Sequence, residues 1–178
     1  MHIWSAGHGT RSVDDLIAVL REAGVKSLAD VRSVPGSRRH PQFGQAPLRA
    51  SLAKAGIDYT HLRGLGGRRD AAANSPHVAL RVDAFRGYAD HLASEDFQRD
   101  LALLEERAKR AATAFMCAET KWEECHRRIL SDVLTVRGWD VTHLLGLGQS
   151  EPHRLWDVAR AVDGRLVYDG GVTTLPPR

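Results

Sequence analysis

The amino-acid sequence predicts a single α/β domain with a mainly parallel sheet of about five strands flanked by helices. Three observations predict it. Short apolar runs (HIWSAG, VKSLADV, IDYTHL, TAFMCA and DVTHLL) recur along the chain. Between them lie stretches of helical periodicity with identifiable starts and stops. The first run, helix and second run follow so closely that the strands must run parallel, joined by a right-handed crossover. A chain of 178 residues suits one domain, since at this size folding removes roughly 70% of the unfolded surface from water.

The elements follow in order. Residues 2–7 form a short buried strand closed by glycine. In SVDDLIAVLREAG, Ser12 is the N-cap, Asp15 completes a capping box, Val13, Leu16, Ile17 and Leu20 share a face, and Gly24 ends the helix. VKSLADV is the second strand, and the loop SVPGSRRHPQFG leaves it. APLRASLAKAG, with Pro47 early and Gly56 after its end, is a short helix, and IDYTHL is a third strand. RGLGGRRDAAANSP is a long loop, either a lid or a surface excursion. Two helices are expected over 77–93 and 94–112, the second capped by Ser94. TAFMCA is a fourth strand. A helix over 121–138 is expected to start from a Thr120–Glu123 capping box, which puts Cys125 and His126 in its second turn. DVTHLL is a fifth strand, and the tail 146–178 has weak periodicity.

Composition bounds the function. The chain is 43% hydrophobic and 26% charged, the balance of a globular protein. No apolar run approaches the ~20 residues needed to span a bilayer. The start MHIWSAGHGT lacks the basic and apolar regions of a secretory signal, so a cytoplasmic protein is expected, with no membrane partner. Cys117 and Cys125 are then expected reduced, with no structural disulfide. A net charge of +3 tilts the chain toward anionic partners, a small molecule or nucleotide first and nucleic acid second.

In open parallel sheets, ligands bind beyond the carboxyl ends of the strands. Those exits carry His8 and Arg11 after the first strand, Arg32, Arg38, Arg39 and His40 after the second, His61 near the third, and Cys117 and Glu119 after the fourth. One shared cleft with an arginine wall is the functional reading. The bland one is that loops are polar anyway.

Each group has its own rival reading. GHGTRS can cradle an anion at a helix N-terminus, or be a tight turn. Arg32 can grip a phosphate or carboxylate with two parallel hydrogen bonds, or pair with a buried acid such as Asp30. Cys117 or Cys125 is a candidate thiolate assisted by His126. Yet Cys125, Ile129 and Val133 at i, i+4 and i+8 suggest a buried core thiol instead. The C-x7-C-H spacing does not match structural zinc, so no metal is expected. Glu119 suits a general acid or base, or a structural pair with arginine. Phe85 and Tyr88 in FRGY can stack a ring or simply pack.

GHGTRS, DVRSVPGSRRHPQF, YTHLRGLGG, FRGYADH and MCAETKWEECHRRIL, in this order between about residues 3 and 145, resemble the DUF488 family. The resemblance implies a single α/β domain without an assigned activity, and a pattern that includes His8, Arg32, Cys117, Glu119, Cys125, His126 and Arg127. The chain departs from that pattern before FRGYAD. Leu80 stands where the pattern has a tryptophan beside Arg81, and His77 and Val82 stand in place of asparagines.

The leading expectation is an enzyme acting on a phosphorylated or otherwise anionic substrate. His8, Glu119, Cys117, Cys125 and His126 form its catalytic set, and Arg11, Arg32, Arg38, His61, Arg81 and Arg127 its binding set. A non-catalytic anion- or nucleic-acid-binding module and a thiol-dependent redox or transfer protein are the alternatives. The residues name no cofactor and no oligomeric state.

Overall fold

The computed structural model describes residues 1–36, 39–162 and 164–171. Its centre is a six-stranded sheet. β1 (His2–Gly7) pairs in parallel with β4 (Thr113–Cys117) on one side and β5 (Asp140–Gly146) on the other. β2 (Ser27–Asp30) lies between β4 and β3 (Asp58–His61), and β6 (Gln149–Pro152) turns back antiparallel on β5. The order is β3-β2-β4-β1-β5-β6. A separate hairpin, β7 (Ala159–Val162) with β8 (Arg165–Tyr168), follows. The expected α/β class with a mainly parallel sheet is what the chain adopts, with one antiparallel strand and a hairpin added.

The two faces of the sheet hold separate cores. α1 (Val13–Glu22) and α2 (Gln45–Lys54) cover one face, where Leu16, Leu20, Leu48 and Leu52 meet Ala6, Leu28, Ala114 and Met116. α3 (Asp83–His91), α4 (Glu95–Arg110) and α5 (Arg127–Val136) belong to the other, where Phe97, Leu101, Leu104, Ile129 and Leu130 meet Ile3, Ala29 and Phe115. β4 alternates between these cores residue by residue and is buried throughout, as a central strand must be.

Local chemistry accounts for most boundaries. Ser12 caps α1 with the expected box, its hydroxyl accepting from the Asp15 N–H at 3.0 Å. Ser94 caps α4 by accepting from the Phe97 N–H at 3.2 Å. The loop after β3 is no free lid at its start, where Gly64 N–H donates to Asp100 Oδ2 at 2.6 Å and Tyr88 O–H donates to the Leu65 carbonyl at 3.0 Å.

Three expectations need correction. The helix expected over 77–93 covers only α3, because residues before it dock on the hairpin: Ala79 N–H donates to the Tyr168 carbonyl at 2.9 Å, and Tyr168 N–H to His77 Nδ1 at 3.2 Å. The helix expected over 121–138 begins at Arg127, so Cys125 and His126 precede it rather than fill its second turn. In place of its first turns stands a separate turn, Cys125 N–H donating to the Trp122 carbonyl at 3.2 Å, and Arg127 Nη2 ties down the segment before it through the carbonyls of Glu119 at 2.5 Å and Thr120 at 3.4 Å. The tail past Gly146, to which weak periodicity assigned no element, supplies β6 and the hairpin. Among the described residues, no helix is long and apolar enough to cross a membrane.

Candidate functional site

The connections leaving β1 and β4 diverge. The chain from β1 passes through α1 on one face, and the chain from its neighbour β4 passes to α5 on the other. Between them, at the carboxyl edge of the sheet, a cleft of about 610 Å³ opens, where ligands of open α/β sheets bind. His8, Arg32, Cys117, Glu119, Cys125 and His126 all line it, with Arg39, His40, Arg68 and Phe85 around them. The two loops are stitched together by His8 N–H to the Cys117 carbonyl at 3.0 Å and Gly9 N–H to that of Ala118 at 2.8 Å.

On the α1 side the groups form a chain. Arg32 Nε and Nη2 donate to the two oxygens of Asp30 at 2.8 and 2.6 Å, and Nη2 also reaches the Phe43 carbonyl at 2.8 Å. Tyr59 O–H donates to Asp30 Oδ2 at 2.7 Å. Burial opposes the charge on Arg32, but the hydrogen bonds and field of Asp30 outweigh it and raise its pKa. The fork of Arg32 therefore belongs to the protein. Its remaining nitrogen, Nη1, points at His8 Nε2, 3.4 Å away. His8 stacks on Phe43 and its Nδ1 sits 3.0 Å from the Gly9 carbonyl, which makes Nδ1 the protonated nitrogen and Nε2 the acceptor. Burial is the main cause that pushes its pKa down to about 4, so His8 is neutral at pH 7.

Across the cleft lie two thiols and an imidazole. His126 Nε2–H donates to the Val31 carbonyl at 3.1 Å, which leaves the Nδ1 lone pair facing both sulfurs. Cys125 Sγ is 3.5 Å and Cys117 Sγ 3.8 Å from that nitrogen. The thiols titrate as a pair, Cys125 held down chiefly by the hydrogen bond from Cys117, and Cys117 held up chiefly by donating it. Gly67 backs the imidazole so closely that a Cβ there would come within 2.3 Å of Nδ1.

The remaining expected residues sit elsewhere. Arg11 clasps the edge of the sheet, with Nη1 on the Gly7 carbonyl at 2.8 Å and Nη2 on that of Leu145. Arg127 is 1% exposed beneath the cleft, donating to Ser5 Oγ and the two loop carbonyls. His61 Nε2–H braces the Arg32 carbonyl at 2.8 Å, outside the lining. Arg81 is exposed and away from the cleft. Leu80 and His77, where the chain departs from the resemblance, are buried near the hairpin and not at the cleft. Arg38 lies outside the described residues. The binding set missed Arg68, exposed on the cleft wall, which carried only the generic signal of a glycine- and arginine-rich loop.

No curated protein and no solved structure matches the chain. A family model does, the domain of unknown function DUF488, over residues 12–134, a span from the cap of α1 to the last turn of α5 that includes Arg32 and the whole Cys117–His126 segment. The chain belongs to the DUF488 family.

Proposed function

We propose that this protein is an enzyme that turns over a phosphorylated small molecule, a nucleotide in first place, in the cleft at the carboxyl ends of β1, β2 and β4. The observation that carries the reading is the meeting of acid–base and thiol groups with cationic ones in one cavity. His8, Glu119, Cys117, Cys125 and His126 line it together with Arg39 and Arg68. A cavity of about 610 Å³ is the size that takes a nucleotide-scale ligand. Arg68 makes no ion pair among the described residues and is the group for a phosphate, while the half-buried Phe85 ring offers a base a stacking surface. The exposed Glu119 carboxylate is the group that takes a proton from the substrate, while neutral His8 gives its Nε2 lone pair to Arg32 and its Nδ1–H to the Gly9 carbonyl. Arg32 acts through His8, holding the ring, rather than by gripping the anion.

The test pairs binding with turnover. Wild-type protein is titrated calorimetrically with inorganic phosphate and with nucleoside mono-, di- and triphosphates, and each mixture is followed for product by phosphorus NMR. Arg68→Glu should weaken nucleotide binding about tenfold or more, the scale of one charged hydrogen bond. Glu119→Gln should leave binding intact and slow turnover about 10²-fold or more. Equal binding by Arg68→Glu would remove the anion site, and binding without turnover would favour a non-catalytic sensor.

A further inference from the structure

We propose that Cys117, Cys125 and His126 form a zinc site whose fourth coordination position opens into the cleft. The spacing C-x7-C-H argues against zinc in the unfolded chain, but folding gathers the donors. Their ligand atoms all lie within 4.8 Å of one another. A tetrahedral ion with Zn–S near 2.3 Å and Zn–N near 2.05 Å separates sulfur from nitrogen by about 3.6 Å. The two sulfurs stand 3.8 and 3.5 Å from His126 Nδ1. Two sides of the donor triangle are thus already close to those of a tetrahedral face, and the third is within 4.8 Å.

Hydrogen bonding points the same way. Both sulfurs face the single imidazole lone pair, with Cys117 also donating to Cys125, and one cation would engage all three donor atoms at once. The imidazole is oriented by its other nitrogen donating to the Val31 carbonyl, the outer support that metal-bound histidines ordinarily have. Arg127 adds a positive charge beside both sulfurs and has no carboxylate partner among the described residues. Binding replaces thiol protons, which pass to solvent, and uses the imidazole lone pair without loss of a proton. Two thiolates and an imidazole around a divalent ion suit zinc rather than magnesium or calcium. Three protein donors with an open fourth position are the arrangement of a catalytic rather than a structural zinc, and all three residues line the cleft with His8 and Glu119. This inference stands apart from the nucleotide reading: a chain that holds zinc but ignores nucleotides keeps the one and loses the other.

The experiment uses the full chain without an affinity tag, reduced, exposed to Zn²⁺ or Co²⁺, and freed of loose metal by gel filtration. One equivalent of zinc per chain by mass spectrometry is expected, together with the intense visible and thiolate charge-transfer bands of tetrahedral cobalt. Cys125→Ser and His126→Ala should each lose at least nine-tenths of the bound metal while keeping the wild-type circular dichroism. If either variant fails to fold, the cobalt spectrum of the wild type decides. A cobalt spectrum without thiolate bands, a wild type that retains no metal, or metal retained in full by a folded Cys125→Ser overturns the proposal. A Cys117–Cys125 disulfide that forms in the presence of excess Zn²⁺ does the same.

Discussion

Arg32 is 6% exposed and Asp30 fully buried, so their ion pair stands or falls with geometry rather than with salt. Asp30 is saturated: two contacts from the guanidinium, one from Tyr59, and one from the Arg32 N–H at 3.1 Å. Replacing it by Ala leaves a buried guanidinium whose best remaining partner is one carbonyl. Asp30→Ala should therefore destabilise the fold by about 3–5 kcal/mol, read by urea unfolding. A loss under about 0.5 kcal/mol, typical of surface substitutions, would mean the pair is not buried in solution. At this scale the sequence was half legible. Asp30 as the rival claimant on Arg32 follows from two residues of spacing on one strand exit. Arg127 could not be assigned in the same way, because its partners are carbonyls of a loop whose path depends on whether a helix forms there.

At the scale of elements, α4 and the end of α5 are joined by one carboxylate. Glu105 accepts from Arg137 Nε and Nη2, both at 2.7 Å, and from Trp139 Nε1 at 3.0 Å. Burial raises the Glu105 pKa, yet the hydrogen bonds of Arg137 and Trp139 win and leave it below its ordinary value. A carboxylate depressed in the folded state contributes stability that is present above its unfolded pKa and is lost as pH falls through the folded one. Glu105→Gln should therefore be less stable than wild type at pH 7, with the gap closing as pH drops below about 4.3. Thermal unfolding from pH 7 to pH 3 measures it, and a gap that does not narrow would refute the assignment. Helices with a cap and a clear stop, such as α1 with Ser12 and Gly24, were legible because their information is local. The start of α5 was not, since Thr120 and Glu123 carry a capping pattern while the segment makes a separate turn from Trp122 to Cys125, next to carbonyls held by Arg127.

For the molecule as a whole, parallel order was legible from the succession of elements, and with it the convergence of His8, Arg32, Cys117 and Glu119 on one edge. The tail was not, because a short two-stranded hairpin has too few residues for a period and takes its stability from what it docks on. Leu166 and Tyr168 join only the core on the α3–α5 face. There Tyr168 O–H donates to Asp132 Oδ2 at 2.9 Å, and Asp132 Oδ1 accepts from His153 Nε2–H at 2.8 Å and Trp156 N–H at 3.0 Å. Tyr168→Phe keeps the ring and leaves Asp132 Oδ2 buried without its donor, a cost of about 1–3 kcal/mol. Since the α1–α2 core shares no residue with the hairpin, the effect should be one-sided. Hydrogen exchange should quicken over β7 and β8 and at Ala79, whose N–H bonds the Tyr168 carbonyl, while α1 and α2 keep their protection. Equal loosening on both faces would mean that the sheet unfolds as one unit and that the hairpin braces the whole protein, cleft included.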